Sequence, residues 1–134
     1  MQIRKALKID FGRIRRLAAR FDLDYADMES DDFWVTAQGP KIIGICGLTK
    51  HSDCLELRSL AVADRFRKKG LGRELVAALF EQAGQDIFLT TVVPDYFSKL
   101  GFEPATAVPA SMVKPEDWCV GCHRDLCRVM VKRR

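Results

Sequence analysis

Leu57-Arg58-Ser59-Leu60-Ala61-Val62, followed after four residues by Arg67-Lys68-Lys69-Gly70-Leu71-Gly72, is the stretch that decides the fold. The first segment reads as a strand. It delivers the chain to a turn whose two glycines allow close backbone approach and unusual dihedrals. Successive amide N–H groups then point outward, and a helix opening at Gly70-Leu71-Gly72 adds its positive N-terminal end. Together these make an anion site suited to a phosphate or pyrophosphate. Arg65, Arg67, Lys68, Lys69 and Arg73 concentrate positive charge around it. The plain alternative is a Gly-rich strand-to-helix turn with a solvated basic surface. The turn lacks both the Gly-x-x-x-x-Gly-Lys-Ser/Thr of nucleotide triphosphatases and the three-glycine dinucleotide pattern.

The helix runs to about Gln82, with Leu71, Leu75, Ala78, Leu79 and Gln82 on one face and Val76, Phe80 and Ala83 widening it. That width suits a helix lying flat on a sheet. Ile87 to Val93 reads as a buried strand, parallel to and beside the strand Cys54–Val62. Pro94 to Leu100 forms a short helix stopped by Gly101. Upstream, Met1 to Ala6 is strand-like, and Ile14, Leu17, Ala18 and Phe21 mark the buried face of a helix over Phe11–Phe21, with Asp10 as its N-cap. Arg13, Arg16 and Arg20 share another face, read as a solvated stripe. Phe33–Ala37 and Ile42–Leu48 are strands joined by Gln38-Gly39-Pro40, and Leu126–Val131 is a closing strand. A meander followed by strand–helix–strand–helix indicates a mixed α/β sheet with flanking helices.

The chain has 134 residues, 48% apolar and 30% charged, the mix of a soluble globular protein. With no repeat or linker, residues 1–134 read as one domain. Net charge is +4, too small to demand nucleic acid. The longest apolar run, Leu75 to Phe80, is far short of the ~20 residues of a spanning helix, so no membrane role is expected. The basic opening Met1 to Lys5 lacks the apolar stretch of a secretory signal, and Asp10 argues against a transit peptide. Five cysteines, an odd number, fit reduced thiols in a cytoplasmic protein.

Arg67-x-x-Gly70-x-Gly72 after a strand ending Leu60-Ala61-Val62 resembles the acetyl-CoA signature of the GNAT N-acetyltransferase superfamily. Tyr96-Phe97-Ser98-Lys99-Leu100-Gly101-Phe102 resembles its second motif. The likeness covers nearly the whole chain and is strongest from Leu55 to Glu103. It implies a GNAT fold in which the strands Cys54–Val62 and Ile87–Val93 splay apart at one end to admit acetyl-CoA as co-substrate. The pantetheine would pair with the backbone of Leu60, Ala61 and Val62, and the pyrophosphate would sit on the amides of Lys68, Lys69, Gly70, Leu71, Gly72 and Arg73, beside Arg67. The acetyl group would pass directly to a small-molecule amine.

Such a reaction asks for a base, because an ammonium cannot attack a carbonyl. Glu56 is the candidate, matching the catalytic glutamate of histone-type members; it shares a strand face with Arg58, Leu60 and Val62. An ion pair between Glu56 and Arg58 is the structural alternative. Arg58 could instead hold a substrate carboxylate by two parallel hydrogen bonds. Glu56 to Val62, together with Leu89-Thr90-Thr91, is similar to bacterial N-acetylglutamate synthases, including short single-domain members with a cysteine cluster near the C-terminus. This implies a free amino acid as acceptor, glutamate first, with Arg58 and Thr90 at the substrate. Another small amine, a protein N-terminus, or a non-catalytic acyl-CoA sensor are the alternatives, and a homodimer is compatible with each.

Many superfamily members place a tyrosine four residues before the glycine of the second motif, as acid for the departing thiolate. Here Phe97 holds that place and Tyr96 lies one earlier, turned by about 100° on a helix. Tyr96 or water is then the acid. Cys119, Cys122, His123 and Cys127 have partial zinc-like spacing, but adjacent Cys122 and His123 converge poorly on one ion. No metal is expected, and zinc, a disulfide and structural thiols stand as the readings. His51, in a polar turn, reads as an ordinary surface residue.

Overall fold

The computed structural model describes residues 1–113 and 127–134. Its strands are β1 (Gln2–Lys5), β2 (Asp32–Gln38), β3 (Lys41–Lys50), β4 (Leu55–Val62), β5 (Ile87–Thr91), β6 (Glu103–Pro104) and β7 (Arg128–Lys132). The helices are α1 (Phe11–Arg20), α2 (Leu71–Ala83) and α3 (Pro94–Ser98). Strand order in the mixed seven-stranded sheet is β1-β2-β3-β4-β5-β7-β6. This is the mixed α/β architecture expected from the sequence. The chain divides into two compact units, one of residues 1–49 and 57–83, the other of residues 50–56 and 84–134. Among the described residues, no helix is long and apolar enough to cross a membrane.

In the first unit, β1 runs antiparallel to β2, which runs antiparallel to β3. Gly39, with φ +59°, makes the turn between β2 and β3. Ile14, Leu17 and Ala18 of α1 are buried, packed in one cluster with Met28, Phe33, Val35, Ile45 and Ala61. Phe21, expected on that face, closes the helix and is only half-buried, because α1 ends at Arg20. On α2, Leu71, Leu75, Val76 and Leu79 are buried and Gln82 is exposed, so the apolar stripe leans towards Val76 rather than reaching Gln82. Gly44 makes room for this helix. A Cβ there would lie 3.0 Å from Leu75 Cδ1.

Asp10 does not cap α1. A 3-10 turn over Lys8–Asp10 precedes the helix and leaves Asp10 itself in helical backbone, so its carboxylate reaches backwards instead. It accepts the Leu7 N–H at 2.7 Å and the Arg4 Nη1 donor at 2.7 Å.

In the second unit, β4 and β5 run parallel, with Leu55 beside Ile87 and Glu56 beside Phe88. β7 lies between β5 and β6, antiparallel to both. Strand β5 stops at Thr91, two residues short of the expected end. The Thr91 hydroxyl accepts the Val93 N–H at 2.9 Å, and Pro94, with no N–H to give, opens α3. The ladder closed by β7 is reached one to two residues later than expected, and β6 is too short to announce itself by alternation. α3 ends at Ser98, two residues short of the expected Leu100, and Gly101, with φ +95°, takes the left-handed backbone expected of it three residues past the helix. The Lys132 ammonium donates to the Leu100 carbonyl at 2.7 Å, in the space that a side chain at position 101 would need.

The Asp10 pair gives the fold a pH signature. Hydrogen bonding from Arg4 foremost, then the Leu7 N–H, holds the Asp10 carboxyl below its ordinary value of 3.8 against the opposing cost of burial. A lowered carboxyl stabilises the fold above its unfolded value, and that contribution disappears as pH falls through the lowered one. Asp10→Asn is expected to cost about 2 kcal/mol near neutral pH. Melting curves of the two proteins should converge as the pH drops below 3.8.

Candidate functional site

The basic turn forms within the first unit. A 3-10 turn at Asp64–Phe66 follows β4, then Lys68 (φ 64°) and Gly70 (φ 79°) both adopt left-handed backbone. Sequence reasoning looked to the two glycines. Only Gly70 supplies the unusual dihedral; Gly72 lies buried within α2, and Lys68 takes the other left-handed position. A Cβ at Gly70 would meet nothing within 4 Å, so the surface here is open. The first α2 hydrogen bond runs from Glu74 N–H to the Gly70 carbonyl at 3.1 Å. The amides of Leu71, Gly72 and Arg73 therefore precede the helical ladder, at the positive end of a 13-residue helix.

The cations around this turn differ in how they are held. Arg67 Nε donates to the Val62 carbonyl at 3.3 Å and lies 3.5 Å from Asp64 Oδ1, with its guanidinium 4.6 Å above the Phe21 ring. Its head group is thus spent on folding the turn. Lys69 Nζ sits 5.7 Å from the Phe66 ring. Leu60 and Val62 are half-buried while Ala61 is buried, the alternation expected of a strand.

One residue in that strand breaks rank. Ser59 has φ 56° inside β4, a conformation costing about 1–2 kcal/mol for a residue with a side chain. Its buried hydroxyl donates to the Leu23 carbonyl at 2.5 Å, which ties the segment after α1 to β4. Beside it, the Arg58 guanidinium lies 3.8 Å from the centre of the Tyr25 ring, a cation–π contact. Tyr25 is itself held: its hydroxyl donates to Asp31 Oδ2 at 2.5 Å, and Thr49 Oγ1 donates to the same oxygen at 2.6 Å. Burial, and then the Asp31 carboxylate, push the Tyr25 hydroxyl well above its ordinary value, so it stays a donor. Arg58 is half-buried over a ring that cannot swing away.

In the second unit, Glu56 is 5% exposed, and its Oε1 lies 2.8 Å from His51 Nε2, within hydrogen-bond distance. His51 is accordingly not the ordinary surface residue expected from its polar turn. Glu56 takes it as partner, and Arg58 takes Tyr25. The turn that carries His51 is closed by a bond from His51 N–H to the Cys54 carbonyl at 2.9 Å. Asp53 Oδ2 accepts the Ser111 N–H at 3.2 Å. Burial, followed by the charge of Asp53, pushes the Cys54 thiol up to about 11, so it is neutral at physiological pH. Thr90, on β5, has a buried hydroxyl oxygen without a hydrogen-bond partner among the described residues. Tyr96 is exposed on α3, edge-to-face with Phe97 at 5.1 Å, whereas Phe97 is buried against Phe102.

Cys119, Cys122 and His123 lie outside the described residues, and Cys127 directly precedes β7. Among the described residues, no group of three or more His, Cys, Asp or Glu side chains is placed to hold a metal ion.

Sequence reasoning missed His51, Asp31 and Ser59. A histidine five residues before a strand glutamate carries no periodic signal, and the left-handed Ser59 is invisible where the residue is not glycine.

Residues 2–102 match the model of a family described as the acetyltransferase (GNAT) family. An uncharacterized N-acetyltransferase of Chlorobaculum tepidum is 36% identical over 77 residues, covering 54% of this chain and 50% of that relative. An N-acetylglutamate synthase from Neisseria gonorrhoeae, solved with coenzyme A and N-acetyl-glutamate, superposes with TM-score 0.82 at 21% identity. That superposition covers 98% of this chain and 34% of the synthase. A Mycobacterium tuberculosis protein solved with CoA superposes with TM-score 0.75 at 19% identity, over 100% of this chain and 99% of its own. This chain thus spans half the length of the curated relative and a third of the synthase. At these identities the structural likenesses establish the shared fold.

The Tyr25 network has a direct test in stability. Tyr25→Phe keeps the ring under Arg58 but removes the donor to Asp31, a charge-assisted bond worth about 1.5–3 kcal/mol. Denaturant unfolding should show a loss in that range, whereas Thr49→Val, which leaves Tyr25 on the same carboxylate oxygen, should cost less.

Proposed function

We propose that this chain, which belongs to the acetyltransferase (GNAT) family, transfers the acetyl group of acetyl-CoA directly to the amine of a free amino acid, with glutamate first among acceptors. The observation that carries the acceptor class is the Arg58 guanidinium, fixed over Tyr25 and half-buried on β4. A guanidinium is the side chain best matched to a carboxylate, and one already immobilised loses little freedom when it binds. The Neisseria synthase, solved with N-acetyl-glutamate, supports the same acceptor.

Acetyl-CoA is the co-substrate in this reading. The backbone of Leu60, Ala61 and Val62 pairs with its pantetheine, and the amides from Lys68 to Arg73 take its pyrophosphate. The left-handed Lys68 and Gly70, the unhindered surface at Gly70 and the positive end of α2 all suit that anion. Arg67 contributes by folding the turn and by its charge. Glu56 accepts the proton of the acceptor ammonium. The amine nitrogen then bonds to the thioester carbon, the carbon–sulfur bond breaks, and the proton shed by the nitrogen is delivered to the thiolate through Tyr96 or water. The Thr90 hydroxyl, without a hydrogen-bond partner among the described residues, is a donor and acceptor for the bound amino acid.

Purified, reduced protein given acetyl-CoA and a mixture of free amino acids is expected to yield N-acetylglutamate as the dominant product by mass detection. Acetyl-CoA binding without any acetylated amino acid would sink this reading in favour of another amine, a protein N-terminus or a sensor that never turns over.

Arg58→Ala should separate the two substrates. A lost charge-assisted pair corresponds to about 10- to 100-fold in KM for glutamate. The KM for acetyl-CoA should stay within about twofold. Equal losses for both substrates would remove Arg58 from the acceptor.

A further inference from the structure

We propose that His51 is a positioning residue for Glu56, holding one oxygen of the carboxylate so that the other is presented to the acceptor amine. The inference rests on the reading of Glu56 as the base and deepens it. The Glu56 side chain is 6% exposed, and a carboxylate so buried requires a donor. An ionised carboxylate only accepts, so the 2.8 Å contact between His51 Nε2 and Glu56 Oε1 is an N–H donation from the imidazole. No other hydrogen bond to the Glu56 side chain is found among the described residues, which leaves Oε2 outside the contact. A carboxylate fixed through one oxygen has its remaining lone pairs aimed, where an unheld one rotates.

The imidazole is in turn held by its surroundings. His51 follows directly on β3, and its backbone N–H closes the turn to Cys54 at 2.9 Å. Two residues on, Asp53 anchors the turn to the Ser111 amide at 3.2 Å. The Glu56 backbone is fixed independently by its place beside Phe88 in the β4–β5 ladder. Histidine and glutamate are thus each set by their own main chain, and the bond between them fixes only the carboxylate's rotation. That is what distinguishes positioning from support of the fold.

The test is a cycle of His51→Ala, His51→Gln, Glu56→Gln and the double variant His51→Ala/Glu56→Gln, assayed for kcat with L-glutamate and acetyl-CoA. Glu56→Gln should lower kcat by about 10²- to 10⁴-fold, the usual worth of a general base. His51→Ala should lower kcat by about tenfold or more with KM for acetyl-CoA unchanged, at a cost in melting temperature because a buried carboxylate loses its donor, and His51→Gln, which retains an N–H donor, should recover most of both losses. In the Glu56→Gln background, His51→Ala should cost nothing further. Wild-type kcat in His51→Ala alongside an impaired Glu56→Gln overturns the positioning role and leaves the base standing. Wild-type kcat in Glu56→Gln, or no turnover in any protein, overturns the base and this inference together. A readout independent of activity is the His51 ring in nitrogen-correlated NMR at mildly alkaline pH, assigned by its disappearance in His51→Gln because the chain has two histidines. The Nε2–H tautomer is expected in the wild type and a mixture in Glu56→Ala; the same mixture in both overturns the contact itself.

Discussion

The bond from the Ser59 hydroxyl to the Leu23 carbonyl holds a strained residue in place at the middle of β4. A left-handed serine is unfavourable by itself, and it persists because its hydroxyl satisfies a carbonyl on the segment leaving α1. That segment carries Tyr25 and Asp31, and their contacts then reach Arg58 on β4 and Thr49 on β3. One hydrogen bond thus fixes where the chain between α1 and β2 lies. The burial alternation of β4 survives it: Arg58, Leu60 and Val62 stay half-buried while Leu57, Ser59 and Ala61 are buried.

In the basic turn after β4, several cations are engaged within the fold itself. Arg67 is engaged with Val62, Asp64 and Phe21, and Lys69 approaches Phe66. What the turn offers is backbone: the amides ahead of the first helical bond, laid open by left-handed Lys68 and Gly70. Backbone donors cannot be read as side chains can, which is why a motif written in glycines signals the site better than the count of lysines and arginines.

The main elements were legible because their periodicities are strong. Ile14, Leu17 and Ala18 sit where helical spacing put them, and Gly39 and Gly101 turn the chain where their freedom is required. The failures are local and have physical causes. Asp10 was drawn away from α1 by Arg4 and Leu7, since a side chain within reach of two donors takes the better geometry. Strand β5 ended early through a hydroxyl-to-backbone bond at Thr91, a choice made by one oxygen atom rather than by pattern. His51 was unreadable because its partner is set by the turn between β3 and β4, whose shape depends on Cys54 and Asp53.

Gly101 and Lys132 belong to one steric compartment. The lysine ammonium lies 2.5 Å from where a Cβ at position 101 would be, where it donates to the Leu100 carbonyl in the turn after α3. The volume a side chain would occupy has been lent to a cation from the far end of the chain. Enlarging residue 101 therefore displaces the ammonium, while shortening residue 132 empties the compartment and removes the donor to the Leu100 carbonyl. The two positions share one space, and at position 101 the left-handed backbone adds its own demand for glycine whatever stands at 132.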